Sequence, residues 1–225
     1  MIKTLEQTTG VAWPSVGNKI AVVDFGLGNM RSLEKALEHL GQPGLTTSDV
    51  DVIAQADKVI LPGDGAFGTA MRNLSVTDAY GRSLGGAVAE AVRAGKLLFG
   101  ICVGMQVLLD RSEEFGNHRG LGIVPGEVLR FPRAPGIKIP EIGWNNLAFT
   151  QPHCPLFRGL TSGAMAYFIH SYYCTPSDPA DAAATTVHGI EYCSILHRDN
   201  VYATQFHPEK SGEVGLTMLK NFVEL

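Results

Sequence analysis

The stretch KLLFGICVGMQ, residues 96–106, decides the fold of this chain. Its apolar start has the pattern of a buried parallel strand, and we expect a helix over Met105 to Asp110. Cys102 stands in the turn between these two elements, flanked by Gly100 and Gly104. Glycines are needed there because larger side chains on either side of so tight a turn would collide. The stretch therefore predicts a strand–turn–helix unit with a thiol projecting from the turn.

Cys102 in this setting is predicted to be a nucleophile. The N-terminus of the following helix points at the sulfur and favours thiolate over thiol. A base is needed as well, and His207 lies in QFHPEKS, residues 205–211, after another predicted strand. Glu209 follows two residues later, where its carboxylate can bind the second imidazole nitrogen and fix the tautomer. A lone cysteine or histidine is usually structural, so the prediction depends on both motifs lying at strand ends.

A third strand end offers donors for an oxyanion. The predicted strand Lys58–Leu61 runs into PGDG, residues 62–65, whose glycines permit an unusual peptide orientation. The alternative is an ordinary strand-to-helix turn. We assign the oxyanion hole to the backbone of four residues: Gly63, Asp64, Gly65 and Val103.

The order of the remaining patterns predicts an α/β domain. Longer strands are expected at 19–24, 58–61, 96–99 and 202–206, and helices at 32–40, 66–74, 86–94, 105–110 and 213–223. Short strands are expected at 126–131, 147–149, 166–170 and 194–197, and a surface loop at 176–186. The expected fold is an open, mostly parallel, flavodoxin-like sheet flanked by helices, with an added antiparallel β portion.

The domain is expected to cover residues 19–225, with residues 1–18 as a short, flexible, appended arm. The arm lacks hydrophobic periodicity, and its polar residues interrupt any apolar core that a secretory signal would need. We therefore expect a cytoplasmic protein.

Composition excludes several classes of function. The formal net charge of -4, with dispersed lysines and arginines, argues against a nucleic-acid partner, and the apolar runs are too short to span a membrane. The histidines lack metal-ligand spacing, so neither a metal nor a cofactor is expected. GLGN, residues 26–29, lacks the third glycine of a dinucleotide loop. The four cysteines form no CxxC pair and are expected to be free thiols.

Seven segments, taken in order, resemble the triad-type, class-I glutamine amidotransferases. They are DFGLGNMRS (24–32), LPGDGAFG (61–68), GICVGMQ (100–106), GLGIVPGE (120–127), IPEIGWN (139–145), YFIHSY (167–172) and QFHPEKS (205–211). The resemblance implies a class-I glutamine amidotransferase fold and glutaminase activity. In that activity Cys102 is the nucleophile, His207 the base and acid, and Glu209 the residue that orients it.

The resemblance also assigns a substrate and a partner. It implies that L-glutamine is held by Gln106 and by the backbone of His170, Ser171 and Tyr172. It implies that ammonia passes through the barrel of a (β/α)8 cyclase/synthase subunit, which uses it to form imidazole glycerol phosphate and an aminoimidazole carboxamide ribotide in histidine biosynthesis. The residues expected to face that subunit are Asn29, Trp144 and Lys210.

Three residues depart from the family pattern, and other functions were weighed. Asp64 stands where the family usually has valine, Glu141 where it often has histidine, and Ala203 where glycine is frequent. The alternatives are a paralogue that supplies ammonia to another acceptor, such as a surface-sugar amidination enzyme, and a non-catalytic regulatory module. A stand-alone cysteine peptidase would leave Gln106 unexplained.

Overall fold

The computed structural model describes Trp13, residues 18–133 and residues 135–225. Trp13 packs against the hydrophobic core. The rest of the arm expected at 1–18, Asn18 apart, lies outside the described residues, so its boundary stays a prediction. Across the described part of the chain, no helix has both the length and the apolar character needed to cross a membrane.

A large mixed sheet and a separate two-stranded sheet carry the fold. The strands are β1 (Ile20–Val23), β2 (Leu45–Thr47), β3 (Lys58–Leu61), β4 (Leu97–Ile101), β5 (Arg111–Ser112), β6 (His118–Arg119), β7 (Gly126–Arg130), β8 (Glu141–Asn146), β9 (Ala148–Phe149), β10 (Met165–His170), β11 (Tyr172–Pro176), β12 (Ala182–His188), β13 (Ile190–Arg198) and β14 (Val201–Thr204). The α-helices are α1 (Met30–His39), α2 (Val50–Gln55), α3 (Phe67–Leu74), α4 (Leu84–Arg93), α5 (Val103–Gln106) and α6 (Gly212–Val223).

The first half of the large sheet is parallel and the second half is mostly antiparallel. Strands follow the order β2-β1-β3-β4-β14, with every neighbouring pair parallel. The sheet continues through β13, β11 and β7 with antiparallel pairs. The parallel strands β1, β3 and β14 are buried along their whole length, as expected when helices cover both faces of a sheet. The predicted fold class is confirmed.

Three neighbouring strands bring the predicted motifs together. Gly100 of β4 pairs with Leu61 of β3 on one side and with Ala203 of β14 on the other. All three strands are parallel, so their carboxyl ends meet at one edge of the sheet, where such sheets form their sites. The segments that follow them start at Pro62, Cys102 and Gln205.

The predicted helix at 105–110 is wrong in its length, because α5 ends at Gln106. The next residues turn toward the segment that leads into β7. Asp110 donates its backbone N–H to the Gly126 carbonyl at 3.0 Å and accepts from the Gly126 N–H through its carboxylate at 2.9 Å. The first of these contacts satisfies the Asp110 N–H, which a longer helix would have paired internally.

The surface loop predicted at 176–186 is wrong in its second half, although residues 177–180 are exposed and lie between two strands. A 3-10 turn at Pro179–Asp181 leads into β12, which pairs with β13 and β9. The alanines at 182–184 are buried, because their small side chains allow strands to pack closely. The pattern also failed to predict α2 and the strands β2, β8 and β11.

Candidate active site

Cys102 lies in a strained turn between β4 and α5. Its backbone has φ 55° and ψ -110°, in the left-handed half of the map that non-glycine residues rarely enter. Its N–H donates to the Thr204 carbonyl at 2.8 Å, which ties the turn to β14. A Cβ on Gly104 would overlap the carbonyl oxygen of Leu61, so only glycine fits there. Because α5 is a single turn, the electrostatic field at the Cys102 sulfur comes from the backbone N–H groups of that turn.

His207 connects the thiol to a buried carboxylate. Its Nδ1 lies 2.8 Å from Glu209 Oε1, and each of these two side chains is only 3% exposed. The Cys102 thiol lies near enough to the same imidazole to shift its pKa. Burial alone would lower the pKa of His207, but the hydrogen bonds and charges of Cys102 and Glu209 outweigh it and raise the pKa to about 10. The structure thus brings the three predicted residues together around one imidazole.

Ser211, to which the sequence analysis assigned no role, holds His207 in place. The Ser211 hydroxyl donates to the His207 carbonyl at 2.7 Å and accepts from the Tyr167 N–H at 3.0 Å. It therefore links the histidine loop to β10. The only sequence signal for it is its place at the end of QFHPEKS.

The four residues predicted to form the oxyanion hole lie together beside Cys102. The carbonyl oxygen of one of them, Gly63, points at the Val103 N–H. The Val103 N–H donates to the carbonyl oxygen of Gly63 at 3.3 Å. Gly63 packs so closely that a Cβ there would lie 2.9 Å from the Gly104 nitrogen, and Gly65 has φ +88°. The side chain of Asp64 reaches His207, with Oδ1 3.3 Å from Nε2. In this conformation the Val103 donor is occupied.

A cavity of about 290 Å³ opens over Cys102. This volume is near the lower end for ligand pockets and suits a single amino acid. Larger grooves of about 540 and 650 Å³ lie elsewhere and are not lined by this triad, so size alone does not identify the site. The lining residues include all four that were predicted to bind glutamine: Gln106, His170, Ser171 and Tyr172.

Gln106 forms the floor of this cavity together with its neighbours. Its Nε2 donates to the Tyr172 carbonyl at 3.0 Å and to Gln205 Oε1 at 3.2 Å. Gln205 Nε2 in turn lies 3.8 Å from the Cys102 sulfur. The amide network fixes Gln106 because its donors are satisfied in a buried setting.

His170 has its imidazole directed into a polar cluster. Nδ1 lies 2.9 Å from the Tyr172 carbonyl, and Nε2 lies 3.4 Å from Glu141 Oε2. Burial alone would raise the pKa of Glu141, but hydrogen bonds from His170, Asn145 and Tyr192 outweigh it and lower the pKa. Glu141, which departs from the family pattern, is therefore a buried partner of His170.

Glu114 is a cavity residue that the sequence pattern missed. It is half-buried, and its carboxylate accepts the Phe67 N–H at 2.6 Å. Burial raises its pKa, although the Phe67 hydrogen bond and nearby His118 oppose that effect. Glu113 and Glu114 are adjacent acids, and nothing in the sequence tells which one turns inward.

The two-stranded sheet of β8 and β10 exposes one apolar face beside the cavity. Ile142 pairs with Ile169 and Trp144 with Tyr167, so these side chains lie on the same face. Ile142 is 60% and Trp144 54% exposed, unusually high for such large apolar residues. We call this face, formed by Ile142, Trp144, Met165, Tyr167 and Ile169, the β8–β10 face.

The other residues expected at the partner interface lie in different settings. Lys210 is exposed and lines the cavity mouth. The Asn29 side chain accepts the Ser32 N–H at 3.3 Å and so caps α1. Its loop contacts the oxyanion segment, since a Cβ on Gly28 would lie 3.6 Å from the Gly63 Cα.

Comparison with known proteins places this arrangement in a family. The model of the class-I glutamine amidotransferases matches residues 21–225. The chain therefore belongs to the class-I glutamine amidotransferase family. Solved structures share the fold: PurLQS from Thermotoga maritima has a TM-score of 0.70 and 20% identity over 93% of this chain and 99% of that one. A structure described as a glutamine amidotransferase has a TM-score of 0.68 and 21% identity over 92% and 99%.

Curated relatives narrow the family to one branch, the HisH subunits of imidazole glycerol phosphate synthase. The subunit from Syntrophotalea carbinolica is 45% identical over 92% of this chain and 100% of its own. That from Geobacter sulfurreducens is 46% identical over 92% and 99%. That from Gloeobacter violaceus is 48% identical over 91% and 88%.

Proposed function

We propose that this chain is the glutaminase subunit of an imidazole glycerol phosphate synthase and supplies ammonia for histidine biosynthesis. The observation that carries the proposal is the set of Cys102, His207 and Glu209: Cys102 and His207 line a cavity of amino-acid size, and Glu209 is hydrogen-bonded to His207. The HisH branch of the relatives supports the acceptor pathway. Thiol, imidazole and carboxylate can perform the whole hydrolysis, so the reaction needs no cofactor.

The first half of the reaction forms a thioester. The Cys102 sulfur attacks the carboxamide carbon of glutamine, and negative charge develops on the carboxamide oxygen. His207 holds the thiol proton and delivers it to the leaving nitrogen, so ammonia departs as the carbon–nitrogen bond breaks. Glu209 stabilises the imidazolium during this transfer, since its carboxylate lies against Nδ1.

The second half hydrolyses the thioester. Water attacks the same carbon while His207 accepts one of its protons, and the carbon–sulfur bond breaks. Glutamate leaves and the thiol regains its proton. The net reaction converts glutamine and water into glutamate and ammonia.

Substrate recognition falls to the walls of the cavity. We assign the glutamine to the space bounded by Gln106 and the backbone of residues 170–172, as the family resemblance implies. Glu114 adds a carboxylate that would accept the substrate's α-ammonium group, a charge-assisted contact.

Hydrolysis requires a change at the oxyanion segment. The Gly63 carbonyl now accepts the Val103 N–H, so a donor that should stabilise the oxyanion is already paired with a carbonyl oxygen. Rotation of the Gly63–Asp64 peptide would remove the carbonyl and present an N–H instead. One oxyanion donor is worth roughly 2.7–4 kcal/mol, or about 10²–10³ in rate. The free subunit should therefore be a slow glutaminase.

Docking of the synthase subunit is the proposed trigger. Ammonia released into water would be protonated and lose its nucleophilicity, so turnover is useful only with an acceptor in place. The β8–β10 face offers an apolar docking surface, and Ile169 belongs both to it and to the cavity wall. We propose a (β/α)8 partner on this face, with Trp144, Lys210 and Asn29 toward it.

The test is a glutaminase assay of the purified chain with and without the synthase subunit of the same organism. We expect a rise in kcat of about 10²- to 10³-fold on complex formation. Glutamate production that is equal in both samples would refute activation by the partner. Absence of glutamate from the complex, with ammonium-driven synthesis intact, would refute the glutaminase role.

A further inference from the structure

Asp64 makes a contact that the mechanism above does not use. It follows Gly63 in the oxyanion segment, and its Oδ1 lies 3.3 Å from His207 Nε2. The Asp64 side chain is 42% exposed, whereas that of His207 is 3% exposed. A carboxylate from the oxyanion segment thus reaches the catalytic imidazole on the side opposite Glu209.

The Gly63–Asp64 peptide is consequently held at both ends. On one side the Gly63 carbonyl accepts the Val103 N–H. On the other the Asp64 carboxylate contacts His207 Nε2. Rotation of a peptide changes ψ of the residue before it and φ of the residue after it, so a contact that holds the Asp64 side chain limits the adjustment that φ of Asp64 can make. Both contacts therefore oppose the same movement.

We propose that Asp64 is a positioning residue that latches the oxyanion segment in its inactive orientation until the synthase subunit docks. This proposal rests on the proposed glutaminase function. The side chain of valine, usual at this position in the family, could not make the contact with His207. The hydrogen bond of the Gly63 carbonyl restrains the peptide whatever residue stands at position 64. The contact between Asp64 and His207 adds to that restraint.

The charges around His207 are consistent with such a latch. Nδ1 faces Glu209 and Nε2 faces Asp64, while the Cys102 thiol acts on the same imidazole. The other charged or titratable residues that line the cavity are Glu114, His170 and Lys210. Because Glu209 occupies Nδ1, Asp64 contacts the ring nitrogen that is left for the thiol, and its negative charge lies close to the thiol. Removal of the carboxylate should therefore favour both peptide rotation and the attacking thiolate.

The experiment compares Asp64→Asn, Asp64→Val and Asp64→Glu with the unmodified chain, each alone and with the synthase subunit. Glu90→Gln, which removes one exposed charge from α4, is the matched control. Readouts are kcat and KM for glutamine, and the rate of covalent labelling of Cys102 by a glutamine-like chloroketone. Thermal unfolding shows that each variant is folded.

We expect Asn and Val at position 64 to raise basal kcat and labelling about two- to fivefold, as for loss of a partly exposed ion pair. Synthase-stimulated kcat should stay within about twofold, because the latch is already open in the complex. Glu90→Gln should leave the basal rate unchanged, whereas Asp64→Glu, which keeps a carboxylate, should raise it less than Asp64→Asn or Asp64→Val does.

Three results would overturn the latch. One is an unchanged or lower basal kcat in both the Asn and Val variants. Another is an effect on KM alone, which would make Asp64 a substrate contact. The third is an equal rise in Glu90→Gln. If the unmodified chain hydrolysed no glutamine even with the synthase, the proposed function itself would fail, an outcome distinct from the other three.

Discussion

The backbone N–H of Val103 donates to the carbonyl oxygen of Gly63 at 3.3 Å, directly beside the nucleophile. The Val103 N–H, which we expect to stabilise the oxyanion of the transition state, is therefore already hydrogen-bonded before glutamine binds. The triad beside it is already assembled, with Glu209 2.8 Å from His207. In the proposed mechanism a formed nucleophile and base therefore stand beside an unformed oxyanion hole, and we propose that one peptide group controls the rate.

Replacement of the nucleophile should separate the two halves of the reaction. We expect Cys102→Ala to abolish imidazole glycerol phosphate formation from glutamine in the complex while ammonium-driven formation persists. The physical reason is that the thiolate alone forms the thioester, whereas the synthase needs only ammonia. Steady-state assays with each nitrogen source measure this, and Cys154→Ala is the matched control for a buried thiol. Equal loss with both sources would contradict the separation.

Glu209 should be needed for rate more than for substrate binding. Glu209→Gln removes the carboxylate charge that faces His207 Nδ1. The pKa of His207 should therefore fall from about 10 toward its ordinary value. We expect kcat in the complex to drop about 10²- to 10⁴-fold with little change in KM. A histidine NMR titration reports the pKa, and kinetics report the rate. An unchanged pKa would disprove the role assigned to Glu209.

The pH dependence of stability should carry the signature of His207. Its pKa rises from 6.5 to about 10 on folding, so the folded chain binds this proton more tightly than the unfolded chain. The resulting stabilisation is complete below about pH 6.5 and is lost as the pH rises toward 10. The loss is at most about 1.4 kcal/mol per pH unit. Urea unfolding across this range should show a decline that His207→Gln lacks; parallel curves would contradict it.

The β8–β10 face should bind the synthase. We expect Ile142→Glu to weaken the complex about 30-fold or more, because a charge would be buried in an apolar contact. Basal glutaminase activity should persist, since Ile142 does not line the cavity over Cys102. Isothermal titration calorimetry measures the affinity. The control is Val76→Glu, at an apolar side chain that is 69% exposed after α3. Equal weakening by both variants would argue against this face.

Gly104 should be irreplaceable for steric reasons. A Cβ there overlaps the Leu61 carbonyl oxygen, so Gly104→Ala must displace β3 or α5. We expect a loss of about 1–3 kcal/mol in unfolding free energy, together with loss of activity. Gly86→Ala in α4 is the control: the added Cβ meets only the Ser83 hydroxyl, and alanine favours helix by up to about 1 kcal/mol. Equilibrium unfolding of both variants measures the difference.

Much of the fold could be predicted because local sequence patterns determine its strands and helices. The strand Lys58–Leu61 was predicted at its observed bounds, since an apolar run between turn residues has few other conformations. Residues 182–186 were predicted wrongly because small, polar-flanked residues also occur in buried strands. Their burial in β12 comes from pairing with β13 and β9, which lie elsewhere in the chain.

By itself, the sequence determined the turn that holds Cys102 and the strand ends that bring His207 to it. Both follow from local sterics and from the shared edge of parallel strands. Only the tertiary structure decided that Glu114 turns into the cavity, that the Gly63 carbonyl occupies the Val103 donor, and that Asp64 reaches His207. Those contacts join residues far apart in the chain and depend on side-chain direction and peptide orientation. No local pattern encodes them, because they are set by packing across the finished sheet.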